Sequence, residues 1–463
     1  MGEIIDAVVL MAGTGSRLRA SGELLPKVEC LVIVDSPAAS VELCGISMLE
    51  RSLRTLQACG FTRALILTDS EELTSEASLA SSPHWTKIVW NFAARTGPVT
   101  LEQLAAVWPD DHRDLLVLRG DSVFDARLLR LLRTQASPVA LVDSAVPANL
   151  LPLVSAAPMT TRGRFCGAAL LSRDWVTGRS APLEEALCAG LEDGSLVAFD
   201  VATQSWYSAE LHRDLRAYWF PFPSPAHNKL AEDVILDAAQ KGTLDIPALV
   251  HAPIEAFIVG KLCKTSVTPN QLTIFCNIIA WGATVLFATG NLACGIAVAL
   301  AVGVLDGLDG KLARVKLETS KAGKLEHFFD VLFENSWWIA LAFYLQSAGK
   351  LPGAYHYLLL LLSAEVLAKL ARSSIVRSSG KSIGELSRFD RIVRLIGARR
   401  NVHVWILAVG IVLRNPAGAF VLIAWWEAIT AAAHLPRAAW SLWVGRSNAS
   451  RKGRSPFQKP AQP

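Results

Sequence analysis

"VLDGLDGKLARVKLETSKAGKLEHFFDVLFEN", residues 304–335, starts where a long uncharged run stops. No charged side chain occurs from Thr265 to Leu305, and then Asp306, Asp309, Glu326, Asp330 and Glu334 follow in quick succession. Asp306 and Asp309 are three apart and share one helix face, while Glu326, Asp330 and Glu334 form an i, i+4 series on the next helix. Two antiparallel neighbours would bring these stripes together. Carboxylates gathered at membrane depth repel one another unless a cation holds them, and all-oxygen ligation suits Mg²⁺ or Mn²⁺.

Outward from this stretch the chain divides into unlike halves. Charged and apolar residues are mixed over 1–245, whereas long uncharged runs alternate with short basic clusters from Thr265 onward, as in helices that cross a bilayer. The Thr265–Leu305 run, broken by "TGN" at 289–291, divides into two spans; further apolar segments at 327–347, 354–375, 401–414 and 416–436 bring the expected total to six. Lys261 and Lys264, Arg314 to Lys324, Arg372 to Arg400, and Arg437 to Arg454 fall at alternate ends of these spans. Both termini are therefore expected in the cytosol of a multi-pass inner-membrane protein. Trp337, Trp338, Trp425 and Trp426 are expected in the aromatic belt. "IPALVHAPIEAFIVGKL" is amphipathic and is expected to lie along the interface, which gives an interfacial helix over 246–264, an all-α six-helix transmembrane domain over 265–440 and a disordered basic tail over 441–463.

Composition narrows the function classes. The net charge of +4 is modest, and nucleic acid is not an expected partner. The eight cysteines contain no CxxC pair and read as reduced core thiols, without a zinc site or disulfide frame. No basic n-region precedes the first apolar strand, so the first half is expected to stay in the cytosol.

"DGLDGKLAR" matches D-x-x-D-G-x-x-A-R and resembles the motif of the CDP-alcohol phosphotransferase (CDP-alcohol phosphatidyltransferase) family. The resemblance covers about 245–440. It extends to "TSVTPNQLT" at 265–273, like the family's approach to its first span, and to "RFDRIVRLIGARRN" at 388–401, like its basic cytosolic loop. It implies that Asp306, Asp309 and Glu326 bind metal, and that Asp330 both binds metal and deprotonates an acceptor alcohol. The family spaces its last two acids one residue later, so either Glu326 with Asp330 or Asp330 with Glu334 completes the site. Gly310 and Ala313 leave room for a ligand and Arg314 can grip phosphate oxygens. The implied reaction moves a phospho-alcohol from a CDP-alcohol to an acceptor hydroxyl and releases CMP.

The first half opens with "DAVVLMAGTGSRLRASGELLPK", in which a strand-like run ends in a small-residue loop. Gly13 and Gly15 let backbone N–H groups approach phosphates, and Arg17 and Lys27 add positive charge. Strand-like "ALILTD", "DLLVLRGD" and "PVALVDS" alternate with helical segments such as "ISMLERSLRTLQACG", as in an α/β Rossmann-like fold. The stretch resembles the L-x-A-G-x-G-x-R-L signature of nucleotidyltransferases, which implies a nucleotidyltransferase-like cytosolic domain and a metal-binding role for Asp121 in "LRGDSVFD". At the D-V-D place of that group this chain has Ser208 and Glu210.

Joined in this order, the halves resemble bifunctional inositol-1-phosphate cytidylyltransferase and CDP-inositol:inositol phosphate transferases. The expected partners are a CDP-alcohol, an acceptor alcohol or lipid, membrane lipids, CTP at the first domain, and a second copy in a homodimer. Two other readings stay open: a phospholipid synthase whose first domain only binds nucleotide or a partner, and a transporter with a soluble sensor.

Overall fold

The structure, a computed structural model, describes residues 6–10, 30–33, 41–68, 86–94, 97–108, 114–208, 210–243, 245–318, 323–379 and 387–452. The chain forms two compact units. The first holds Met1–Gln240, Val259–Val267 and Lys311–Thr319; the second holds Lys241–Ile258, Thr268–Gly310 and Ser320–Pro463.

In the first unit, short apolar runs build a mostly parallel sheet from β1 (Asp6–Leu10), β2 (Cys30–Ile33), β3 (Arg63–Thr68), β4 (Val89–Ala94), β5 (Leu115–Arg119), β6 (Val139–Asp143), β7 (Gly163–Leu171) and β8 (Val197–Asp200). The strand order is β4-β3-β1-β5-β7-β6-β8, with β2 in the same sheet. β4, β3, β1 and β5 run parallel; β7 is antiparallel to β5 and β6, and β8 returns parallel to β6. "LLVLR" and "VALVD" are buried at nearly every position, which explains why they are unbroken apolar runs instead of alternating ones: helices cover both faces. α1 (Met48–Ala58) begins where the Ser47 hydroxyl accepts the Glu50 N–H. α2 (Leu183–Asp193) packs Leu183, Ala186, Leu187 and Leu191 into a core with Val117, Val142 and Ala169, and α3 (Asn228–Ala238) follows near the end of the unit.

The second unit is helical. Its helices are α4 (Ala248–Leu262), α5 (Pro269–Ala288), α6 (Leu292–Lys316), α7 (Gly323–Ser347), α8 (Ala354–Ser379), α9 (Arg388–Ile396), α10 (Arg400–Val412) and α11 (Pro416–Lys452), with α4 and α6 each running on into the first unit. Thr268 and Gln271 form a capping box around Pro269, which sets the start of α5. Among the described residues three helical stretches are long and apolar enough to cross a membrane, Pro269–Ala288, Leu292–Lys316 and Pro416–Trp443. Asp390–Ile396 with Arg400–Val412, bent by 47°, makes a fourth if counted as one span. The six-span expectation is met only in part, for physical reasons. α7 has the length, but its first half carries Glu326, Asp330 and Glu334; α8 carries Glu365, Lys369, Arg372 and Arg377. α10, at 13 residues, rises only about 20 Å against a hydrocarbon core of about 30 Å.

Two expectations are corrected. Trp337 and Trp338 are core residues and not belt residues, at 0% and 1% exposure. The Trp337 indole N–H donates to the Ala280 carbonyl at 2.8 Å, which removes the polar reason for an indole to stay at an interface. Its ring meets Phe287 and Phe333, while Trp338 stands edge-on to His403. Trp425, at 53% exposure, keeps the outward position. The second correction is at the C-terminus, where α11 continues to Lys452, so residues 441–452 are helical and not a disordered tail. "RAAWSLW" is rich in helix formers and contains no breaker.

α4 turns two of its polar residues, His251 and Glu255, toward protein. Its Leu249, Ile254 and Phe257 are exposed, whereas His251 and Glu255 lie against Gly303 and Gly307 of α6. A Cβ on Gly307 would sit 2.4 Å from Glu255 Oε1, so the glycine is what admits the carboxylate.

The corrected tryptophan assignment has a direct test. Trp337→Ala is expected to destabilise the helical unit by about 3–5 kcal/mol, and Trp425→Ala by about 0.5 kcal/mol or less. Unfolding of detergent-solubilised protein reads both; equal effects would return Trp337 to the surface.

Candidate active site

α6 carries Asp306 and Asp309 one turn apart. Asp309 is buried, and both its oxygens are engaged: Oδ2 accepts from the Thr273 hydroxyl at 2.6 Å and Oδ1 accepts from the Gly310 N–H at 2.5 Å. Asp306 Oδ2 accepts from Arg400 Nη2, and the Arg400 guanidinium lies 5.4 Å from the centre of the Phe333 ring. On α7, Asp330 is half-buried and Glu334 is within electrostatic reach of Arg400 and Asp306. Glu326 belongs to the first turn of α7, and its side chain lies outside the described residues.

α5 mediates the convergence. α7 packs chiefly along α5 and α8, and the Cys276 thiol of α5 is within electrostatic reach of Asp306, Asp309, Asp330 and Arg400 together. Asp306 and Asp309 of α6 and Asp330 of α7 thus all lie within electrostatic reach of one residue of α5. Hard oxygen donors of this kind suit a divalent cation. Among the described residues no group of three or more His, Cys, Asp or Glu side chains closes tightly enough to hold an ion, and Glu326 is not among the side chains that count.

Gly310 and Ala313 are half-exposed on α6. Arg314 follows them, with its Nε donating to the Ala239 carbonyl at 2.8 Å. Two contributors escaped the sequence reading, Thr273 and Arg400. Both lie in stretches that were singled out, "TSVTPNQLT" and "RFDRIVRLIGARRN", and an arginine opening an apolar helix is the available signal for the second.

In the first unit Asp121 follows β5 and is buried. Arg119 forks onto it, with Nε donating to Oδ1 at 3.0 Å and Nη2 to Oδ2 at 2.7 Å, while Nη1 reaches Glu184 of α2 at 2.7 Å. Gly167, at φ 88°, makes room for this arginine: a Cβ there would meet its stem at 3.1 Å. Ser208 is buried and accepts the Leu211 N–H at 3.3 Å, and Glu210 is exposed. Gly13, Gly15, Arg17 and Lys27 lie outside the described residues.

Against this geometry the comparisons with known proteins can be set. Residues 7–162 match the MobA-like NTP transferase domain, and residues 266–436 match the CDP-alcohol phosphatidyltransferase family. The bifunctional IPC transferase and DIPP synthase of Rubrobacter xylanophilus is 26% identical over 442 residues, covering 90% of this chain and 93% of that protein. Among solved structures, the inositol-1-phosphate CTP transferase from T. maritima covers 50% of this chain and 97% of its own, at 16% identity and a TM-score of 0.34. The phosphatidylinositol phosphate synthase of Mycobacterium tuberculosis with CDP-DAG bound covers 42% and 94%, at 18% identity and a TM-score of 0.33. The apolar helices and the second match together make the C-terminal region a membrane-integrated one. The chain is an enzyme that carries, in order, a MobA-like NTP transferase domain and a CDP-alcohol phosphatidyltransferase domain.

Proposed function

We propose that the membrane domain transfers a phospho-alcohol from a CDP-alcohol to an acceptor hydroxyl, and that the first domain makes this CDP-alcohol from CTP and an alcohol phosphate of the inositol type. The observation that carries the proposal is the pair Asp306 and Asp309 on one turn of α6, held by Arg400 and the Thr273 hydroxyl, inside the region that matches the transferase family. The likeness to the Rubrobacter bifunctional protein along nine-tenths of the chain supports the inositol assignment.

In this reading Asp306, Asp309, Glu326 and Asp330 would hold a divalent ion such as Mg²⁺; the pair Asp330 and Glu334 is the other completion of the set. When bound, the ion supplies positive charge at the pyrophosphate. Asp330 takes the proton of the acceptor hydroxyl. The acceptor oxygen then bonds to the phosphorus bearing the alcohol, the bond from that phosphorus to the bridging pyrophosphate oxygen breaks, and CMP departs with that oxygen and the electron pair. Gly310 and Ala313 keep side chains out of the nucleotide's path, and Arg314 adds charge at the phosphates. Arg372, Arg394 and Arg399 line a small cleft with Thr430 and His434, and both His434 ring nitrogens are buried without a hydrogen-bond partner among the described residues. A cleft of this charge favours a phosphorylated acceptor. α5, α6, α7, α8, α9 with α10, and α11 would make the six crossings of an inner-membrane protein with cytosolic termini.

One observation favours a second reading, in which the first domain is a nucleotide-binding relic. Both Asp121 oxygens are engaged by Arg119, and the second ligand position holds Ser208, so the residues present do not fit a metal ion while that fork is closed.

Purified protein given CTP, Mg²⁺ and inositol 1-phosphate is expected to release pyrophosphate, with the release lost in Asp121→Asn. Silence across a panel of alcohol phosphates would select the second reading. With preformed CDP-inositol and inositol phosphate, Asp309→Asn is expected to lower CMP release by about 100-fold or more, as for loss of a transition-state charge stabiliser. Thr273→Val, which removes only the hydroxyl on Asp309, is expected to cost about 10-fold. Wild-type CMP formation by Asp309→Asn would remove Asp309 from the site.

A further inference from the structure

The end of α6 is accounted for carbonyl by carbonyl. A helix leaves its last four C=O groups without intrahelical donors, and these carry the negative end of its dipole. For α6 the four belong to Ala313, Arg314, Val315 and Lys316. Leu317, at φ 53°, closes the helix so that the Glu318 N–H reaches Ala313 O at 2.8 Å and the Leu317 N–H reaches Arg314 O at 3.3 Å. The remaining two are taken by α1, more than 260 positions away in sequence. Arg51 Nη1 donates to Val315 O at 2.9 Å and Arg54 Nη1 to Lys316 O at 2.6 Å.

These arginines are built in rather than draped. Both are 2% exposed. Arg51 Nη2 is fixed on Leu43 O at 2.8 Å. Arg54 binds Glu50 at 2.7 Å, Thr86 at 3.3 Å and Glu318 at 3.3 Å, so two buried carboxylates balance it. Burial raises the Glu318 carboxyl above its usual range, against the pull of Arg54 and Lys316. Lys316 Nζ in turn donates to Thr265 O at 2.7 Å and Val267 O at 3.1 Å. All of these contacts lie within the first unit, whereas Asp306 and Asp309, on the same continuous helix, lie in the second.

We propose that Arg51 and Arg54 are positioning residues for the membrane transferase: by holding Val315 and Lys316 they fix the axial and rotational register of α6, and with it the carboxylates of the D-x-x-D-G-x-x-A-R motif. Asp309 is six residues from Val315, about 9 Å along the axis, too short a distance for a helix to absorb a displaced end. The inference rests on the transferase activity proposed above, and not on whether the first domain is active.

The test uses the full chain in detergent with preformed CDP-inositol and inositol phosphate, so no step depends on CTP. Arg51→Met and Arg54→Met are expected to lower kcat for CMP release by about 10- to 100-fold, the range for a misplacement near 1 Å. KM for the CDP-alcohol should change by about threefold or less, since the groups that touch it remain. Arg51→Lys, which keeps a donor for one carbonyl, should recover part of the rate. Arg51→Met strands no buried carboxylate; if Arg54→Met fails to fold, Arg54→Met with Glu50→Gln and Glu318→Gln replaces it. An unchanged kcat in the Met variants would overturn the proposal. So would a loss of rate that tracks a falling unfolding midpoint and is not recovered by lysine, because that marks a stability role alone. If the wild type itself forms no CMP from any CDP-alcohol, the functional reading fails instead.

Discussion

Charge at membrane depth governs this molecule. An unpaired carboxylate in an apolar surrounding costs several kcal/mol, and the chain places at least four near one level of its helical unit. Two of these acids have an answer in hydrogen bonds: Arg400 for Asp306, and the Thr273 hydroxyl and the Gly310 N–H for Asp309. These compensating groups come from α5, α6 and α10, so the acids organise the helices as much as the helices position the acids. The same arithmetic explains why Arg400 cannot be an ordinary surface cation. It stands where positive charge is required, and an incoming cation would have to share or take over that role.

Local chemistry in the sequence carried far. The apolar run from Thr265, the parallel-sheet strands and the acidic stripes were all legible because each depends on spacing within a few turns of chain. Tertiary partners were not. Trp337 looks like a belt residue until Ala280 supplies its acceptor, and Arg400 looks like a loop cation until Asp306, 94 positions earlier, lies beside it. Span counting failed in part for a related reason: α7 and α8 have the length of membrane helices, but the charges they carry lower their apolarity.

The first unit shows a complementary pattern. Its sheet follows directly from "LLVLR" and "VALVD", but the chemistry at the end of β5 depends on three separated residues. Arg119 reaches Asp121 past Gly167 on β7, where a side chain would crowd its stem, while Glu184 on α2 binds the remaining nitrogen. No spacing rule along one strand reveals a fork assembled from two strands and a helix. A loop motif can thus survive while the electrostatics beside it are rewritten.

The glycine at 307 carries a lesson about consensus patterns. D-x-x-D-G-x-x-A-R leaves its second position open, yet in this chain a carboxylate from α4 fills the space a methyl group would need. Freedom written into a motif is an average over many neighbours. Here a particular neighbour narrows it, and a side chain at 307 would require the Glu255 carboxylate to swing aside.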